Sequence, residues 1–363
     1  MSLLVEMNEK AQRLGVPLSV HIDVTYRCNE RCSHCYLDHD DKGEMTTDEI
    51  RNVLDQLAEA GVFFLTFSGG EVFMRRDFLD LVKYARGLLF NVKVKTNGAM
   101  IREREAHRLR ELGVEQVQIS VYSYRPEIHD AITKLPGSLK RTVAAIRFLK
   151  SQGLKVTMSN VLMTVNRYDQ EGTQALAREL GVDYTLDPTV TPKLDGDTSV
   201  LALRVNEESL DELFSNPDLV GNVDEYCAPP VAPDEDVMEG VSCSAGHTLC
   251  YISPYGDVFP CVQFPLPTGS VRRQKFIDIW RHSPQMQQVR SIRIKDLTVC
   301  SSCAHAGSCS RCPGLAYMEG SMLGPSSTDC EKSFHRTGIP TANMLRKGQA
   351  AAVGLLVQIQ PVA

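Results

Sequence analysis

Asp23–Asp38 reads DVTYRCNERCSHCYLD and sets Cys28, Cys32 and Cys35 within eight residues. Three thiolates can hold three corners of a cubane 4Fe-4S cluster and leave the fourth iron open to a ligand. A zinc ion completed by His34, or three small buried side chains, would use the same residues differently. What surrounds the triplet has to discriminate.

The run before it, Leu18–Val24, has the look of a strand, and five more follow: Val62–Phe67, Asn91–Thr96, Val117–Tyr122, Lys155–Met163 and Val182–Asp187. Helical patterns separate them. Thr46 can cap the first, with Glu49 completing a capping box ahead of Ile50, Leu54 and Leu57. Repeated β-α units imply parallel strands with right-handed crossovers, as a doubly wound sheet or a partial barrel. Ligands then gather at the carboxyl ends of the strands. The distinctive residues fall there: the triplet after strand one, Ser68-Gly69-Gly70-Glu71 after strand two, Thr96-Asn97-Gly98 after strand three, and Ser120–Ser123 ending strand four.

Composition sets the class. The chain has 363 residues, 43% hydrophobic and 23% charged, with a net charge of -6, which is ordinary for a globular protein and gives no footing for nucleic acid. The start carries no basic, apolar signal, and the late run AAAVGLLV is too short to span a bilayer, so a cytoplasmic protein without membrane association is expected. Twelve cysteines in such a chain read better as metal ligands than as disulfides. None lies between Cys35 and Cys227.

Cys-x3-Cys-x2-Cys followed by Tyr36, placed after the first strand with Gly-Gly-Glu after the second, resembles the radical S-adenosylmethionine (radical SAM) superfamily. The resemblance implies an α/β fold, a partial (β/α)6 barrel of parallel strands. It implies that Cys28, Cys32 and Cys35 ligate a [4Fe-4S] cluster whose open iron takes S-adenosyl-L-methionine. Tyr36, Ser68, Gly69, Gly70, Glu71 and Asn97 would contact that cofactor, and Ser120, Asn160 and Leu162 lie where family members meet ribose or adenine. Cluster and cofactor together would yield a 5'-deoxyadenosyl radical that abstracts hydrogen from substrate.

The second cysteine group, Cys243, Cys250, Cys261, Cys300, Cys303, Cys309, Cys312 and Cys330, resembles the SPASM extension, a smaller cysteine-rich C-terminal iron-sulfur domain. Cys309-x2-Cys312 is one residue shorter than the common spacing. By position, Cys243, Cys250, Cys261 and Cys312 would hold one auxiliary 4Fe-4S cluster, and Cys300, Cys303, Cys309 and Cys330 the other. Paired zinc knuckles are the competing use of 300–312. Cys227 is left over, as a small buried side chain, a substitute ligand for Cys250, or a thiol near substrate. The resulting division is a helical lead at 1–16, the barrel at 17–205, a linker or cleft loop at 206–240, the auxiliary cluster domain at 241–340, and a tail at 341–363.

Arg125–Thr142 and Leu186–Ser199 are similar to segments of peptide-modifying members, including the peptide cyclase of pyrroloquinoline quinone biosynthesis. The implied activity is a radical SAM oxidoreductase that cross-links or rearranges a ribosomally made precursor peptide. Other readings are modification of a tetrapyrrole side chain, formylglycine-type sulfatase maturation, and a non-enzymatic iron-sulfur carrier. Only 27 residues precede Cys28, too few for a fused leader-binding domain, so leader recognition is expected to depend on a separate small protein or on the catalytic domain itself, and a flavodoxin or ferredoxin would donate electrons. No residue stands out as acid or base; His129, Asp130, Tyr255 and Asp257 are weak candidates.

Overall fold

A computed structural model describes residues 3–39 and 42–348. The expected tail beyond 348, with its run AAAVGLLV, lies outside the described residues. The described residues form two compact units, one from 3–39, 42–205 and 245–290, the other from 206–244 and 291–348.

The first unit opens with α1 (Leu3–Leu14) and then alternates strand and helix. Its six parallel strands are β1 (Ser19–Asp23), β2 (Phe64–Ser68), β3 (Asn91–Thr96), β4 (Gln116–Ser120), β5 (Lys155–Val161) and β6 (Asp183–Asp187). The crossovers are α2 (Thr47–Glu59), α3 (Phe78–Gly87), α4 (Glu103–Glu111), the pair α5 (Pro126–Thr133) and α6 (Ser138–Ser151), and α7 (Gln170–Leu180). The capping box expected at Thr46 and Glu49 is present, each side chain bonded to the other's backbone N–H.

Strand order is sequential from β1 to β6. A doubly wound sheet reverses direction part-way; this one does not, so the crossovers lie on one face and the sheet is an open, partial barrel. Closure of β6 onto β1 is excluded by β7 (Leu249–Ile252), which pairs parallel to β1 with Val20 opposite Cys250. β8 (Asp257–Phe259) and β9 (Gly269–Ser270) continue the sheet antiparallel. The residues of these three strands fall in the stretch assigned above to the auxiliary cluster domain, and their hydrogen bonds put them in the first sheet. In the second unit, α8 (Glu207–Phe214), α9 (Pro217–Val220), α10 (Val223–Tyr226) and α11 (Glu235–Glu239) occupy the stretch read as a linker, each N-capped by an Asn or Asp side chain. In the first unit, α12 (Phe276–His282) and α13 (Pro284–Ser291) follow β9; α14 (Pro313–Met318) and α15 (Ser327–Thr337) complete the second.

Period-two alternation splits each barrel strand between two environments. One face buries Val20, Ile22, Leu65, Phe67, Val92, Val94, Val117 and Ile119 against Ile50, Leu54, Leu81, Leu109 and Ile146. Each such side chain contributes about 1.5–3 kcal/mol. The opposite face carries His21, Thr66, Lys93, Lys95, Gln116, Gln118 and Ser159. A closed eight-stranded barrel fills that space with branched apolar side chains. Here it is polar and borders a cavity of about 380 Å³, within the range of ligand pockets.

Candidate active site

Cys28, Cys32 and Cys35 sit on the loop leaving β1, and all three line this cavity. Two backbone bonds dock the loop on the end of α5, from Arg31 N to Thr133 O at 3.0 Å and from Ser33 N to Ile132 O at 2.9 Å. Leu194 N donates to Tyr36 O at 3.1 Å on the far side. Burial pushes the Cys28 thiol up to about 12 and raises Cys32 and Cys35 as well. The side chain of Glu30, also walled in, is pushed up to about 7 by desolvation. Three desolvated thiols form a poor home for bare thiolates and a good one for thiolates bound to a cation, because coordination deprotonates a thiol outright. The donor set therefore fits an iron-sulfur cluster.

The loop after β2 is fitted to the cysteine loop by two close approaches. Gly69, at φ +140°, would place a Cβ 2.2 Å from Thr25 O, and Gly70 would place one 2.5 Å from Arg27 O. Only glycine at both positions lets Gly70 N bond Thr25 O at 2.8 Å and Glu71 N bond Arg27 O at 2.9 Å. Glu71 is 1% exposed. Its carboxylate accepts from Thr96 Oγ1 and Asn97 N at 2.8 Å and from Phe73 N at 3.1 Å. Asn97 in turn donates through Nδ2 to Asn29 Oδ1 at 2.8 Å and to Cys28 Sγ at 3.8 Å. The ends of β1, β2 and β3 are thus tied into one rim around the triplet.

In the second unit, Cys300, Cys303, Cys309 and Cys330 line a single small cavity together with His305 and Arg311. Their sulfurs accept hydrogen bonds: Cys303 from Ala342 N at 3.4 Å and Cys309 from Ser333 Oγ at 3.3 Å. Burial holds Cys330 up to about 11, against bonds from Thr341 and Asn343. Such donors stabilise thiolate and set a cluster's potential. Of the other four, Cys243 and Cys312 interact within the second unit, and Cys250 and Cys261 within the first. Among the described residues, no three His, Cys, Asp or Glu side chains are drawn together closely enough to hold one metal ion.

Residues 22–180 match the Radical SAM superfamily, and residues 243–313 match the SPASM iron-sulfur cluster-binding domain. The chain is a radical SAM enzyme with a SPASM extension. It is 29% identical to the mycofactocin maturase MftC of Mycobacterium tuberculosis over 362 residues, covering 96% of this chain and 90% of that one. It is also 29% identical to the AdoMet-dependent heme synthase of Oleidesulfovibrio alaskensis over 327 residues, covering 83% and 84%. The fold is shared with SuiB of Streptococcus suis, solved bound to precursor peptide SuiA, at 17% identity, a TM-score of 0.71, and coverage of 90% and 80%. The two domains carry 4Fe-4S clusters and S-adenosylmethionine.

Within the radical SAM domain, the cavity is lined by Tyr36, Ser68, Gly69, Gly70, Asn97 and Ser120 as well as the triplet. Glu71, Asn160 and Leu162 are not among its lining residues. Glu71 is the brace described above. Asn160 is 1% exposed, donating to Tyr184 OH at 3.1 Å and accepting from Asn166 Nδ2 at 3.2 Å. Leu162 N donates to Asp187 O. From β5 it is Ser159 and Val161 that reach the cavity, one residue out of step with the sequence expectation. Of the weak acid/base candidates, Asp130 is spent on the start of α6, where Ser138 Oγ and Leu139 N donate to it at 2.8 and 3.0 Å. His129 Nδ1 accepts from Tyr122 N. Tyr255 lies in the turn before β8 and Asp257 opens that strand, and both backbone N–H groups donate to Ser253 Oγ. Cys227 Sγ donates to Phe214 O at 3.4 Å and lines neither cavity. Lys95 and Gln118, which the sequence reading passed over, line the active-site cavity. The alternation in NVKVKT is the signal that could have found the lysine.

No helix among the described residues is long and apolar enough to cross a membrane.

Proposed function

We propose that this enzyme oxidatively modifies a ribosomally synthesised precursor peptide, by cross-linking or rearranging it. The observation that carries the reading is full-length similarity to a peptide maturase combined with a polar, ligand-sized cavity at the cysteine triplet. When bound, the cluster and S-adenosylmethionine supply one-electron reductive cleavage and hydrogen-atom abstraction at unactivated carbon.

The protein's own work is placement. Cys28, Cys32 and Cys35 would hold the cluster at the mouth of the cavity. Gly69 and Gly70 let the β2 loop lie flat against the cysteine loop, and Glu71 fixes that loop to Thr96 and Asn97. The polar inner face of the barrel receives the substrate and keeps it aligned. Cys300, Cys303, Cys309 and Cys330 would hold one auxiliary cluster; such a cluster suits an oxidation, since it can take up the electron left after coupling. Leader recognition would fall to a separate small protein or to the barrel itself, and a flavodoxin or ferredoxin would donate the electrons.

A short peptide encoded beside this gene, co-expressed with the enzyme without oxygen, tests the reading by mass. Loss of two hydrogens, or of a larger fragment, supports it. An unchanged peptide, with 5'-deoxyadenosine still formed by the purified enzyme and with any small leader-binding protein encoded beside the gene co-expressed as well, sinks it. Tetrapyrrole side-chain modification is the second reading, favoured by the identity to a heme synthase; tight binding of a porphyrin chromophore would select it.

A further inference from the structure

Asn91–Thr96 reads NVKVKT, and pairing turns its two lysines away from the core. Val92 and Val94 are fully buried, while Lys93 and Lys95 keep exposed surface on the inner face. Across the ladder, Lys93 stands opposite Gln116 and Lys95 opposite Gln118. Opposite charges facing each other across a ladder would stabilise the sheet; both partners here are neutral amides.

Neither lysine makes an ion pair or a hydrogen bond among the described residues. Asp23, Cys261 and Asp187 favour the charged form of Lys95 and Lys93 opposes it, but neither carboxylate forms an ion pair with it, and Asp187 lines the same cavity. Asp23 is bonded to His21 Nε2 at 3.0 Å and accepts from Tyr251 OH at 2.8 Å. Asp187 accepts from Thr189 N at 2.8 Å. Lys95 lines the cavity, and desolvation by the surrounding groups lowers its pKa, against a raising influence from Asp23. An ammonium that faces a cavity without an ion pair of its own is open to pairing with an incoming anion. Gln118 lines the same cavity, spends Nε2 on Ser159 Oγ at 2.9 Å, and keeps its second N–H.

We propose that Lys95, with Gln118 beside it, anchors a carboxylate of the substrate in the cavity that holds the cysteine triplet. The carboxylate is a peptide C-terminus or an acidic side chain. That assignment of its carrier rests on the peptide reading above; the anchor itself does not. Lys95 is a positioning residue, holding the substrate by a charge-assisted pair rather than reacting with it.

Reductive methylation of the cluster-loaded enzyme, saturated with S-adenosylmethionine and read by peptide mass at Lys95, tests the anchor with N-acetylglycine and N-acetylglycinamide as probes. The expected result is severalfold slower methylation with the acid and no change with the amide. Equal protection by both, protection by neither, or full protection by S-adenosylmethionine alone overturns the proposal. With a processed peptide in hand, Lys95→Met should raise KM about 10–100-fold at nearly constant kcat, and Lys95→Arg should recover most of it. Amidating the peptide C-terminus, or changing its acidic side chains to amides, should cost the wild type the same factor and the variant nothing further, and whichever change does so names the source. Unchanged KM in Lys95→Met overturns the proposal; if that variant loads no cluster, the methylation result on the wild type decides alone. Protection by N-acetylglycine with no peptide processed would leave the anchor standing and remove the peptide reading.

Discussion

Gly69 lies against Thr25 so closely that a Cβ on the glycine would sit 2.2 Å from the threonine carbonyl oxygen. The contact joins the loop after β2 to the loop that bears the cysteines. Gly69→Ala would have to break it and also adopt an unfavourable φ of +140°, a strain of about 1–3 kcal/mol. The outer core of the barrel, remote from this contact, should survive. The expected outcome is a folded protein whose affinity for S-adenosylmethionine falls about 10–100-fold, measured by equilibrium dialysis on the reconstituted enzyme.

Glu71 gives a contrasting expectation. Its carboxylate accepts three hydrogen bonds and does not line the cavity. Glu71→Gln puts an amide N–H among donors, leaving buried groups unmatched at about 1–3 kcal/mol. The thermal midpoint should drop by several degrees.

Iron content separates the cysteine assignments. Three cubanes amount to about twelve irons per chain, whereas zinc in the extension would leave about four. Cys330→Ala should remove about four irons and leave about eight. Cys227→Ala should retain the full complement, because its thiol bonds to Phe214 O and faces neither cavity. Metal analysis after anaerobic reconstitution reads all three proteins.

His129 predicts a pH window. It is 1% exposed, and burial lowers its pKa from 6.5 to about 4. The folded state therefore keeps it neutral where the unfolded chain protonates it. Its contribution is fully present above pH 6.5 and is lost as pH falls toward 4, about 2 kcal/mol of it between pH 7 and 5. His129→Gln keeps an acceptor for Tyr122 N and does not titrate. The variant's thermal midpoint should fall less between pH 7 and 5 than the wild type's, by a few degrees.

The parts legible in the sequence were those written in local pattern. The β3 strand was read to the residue, since Val92 and Val94 alternate with Lys93 and Lys95; the Thr46–Glu49 capping box was explicit in its spacing. The cysteine triplet and Gly-Gly-Glu needed only their place after consecutive strands. What escaped depends on pairings between distant residues. Ser159 rather than Asn160 reaches the cavity because β5 is registered with Ser159 opposite Ser120, and a one-residue slip exchanges the faces. The sheet's extension by β7 rests on Val20 meeting Cys250, which no local pattern announces. Lys95 was visible as a residue but not as an unpaired charge, since that requires knowing that Gln118 stands opposite it.

The most direct test of the account is the fate of S-adenosylmethionine mixed with the reconstituted enzyme and dithionite in the absence of oxygen. The account predicts 5'-deoxyadenosine and methionine from the wild type and from Cys227→Ala, and neither from Cys32→Ala. Intact S-adenosylmethionine with a wild-type protein that carries its full iron would contradict it.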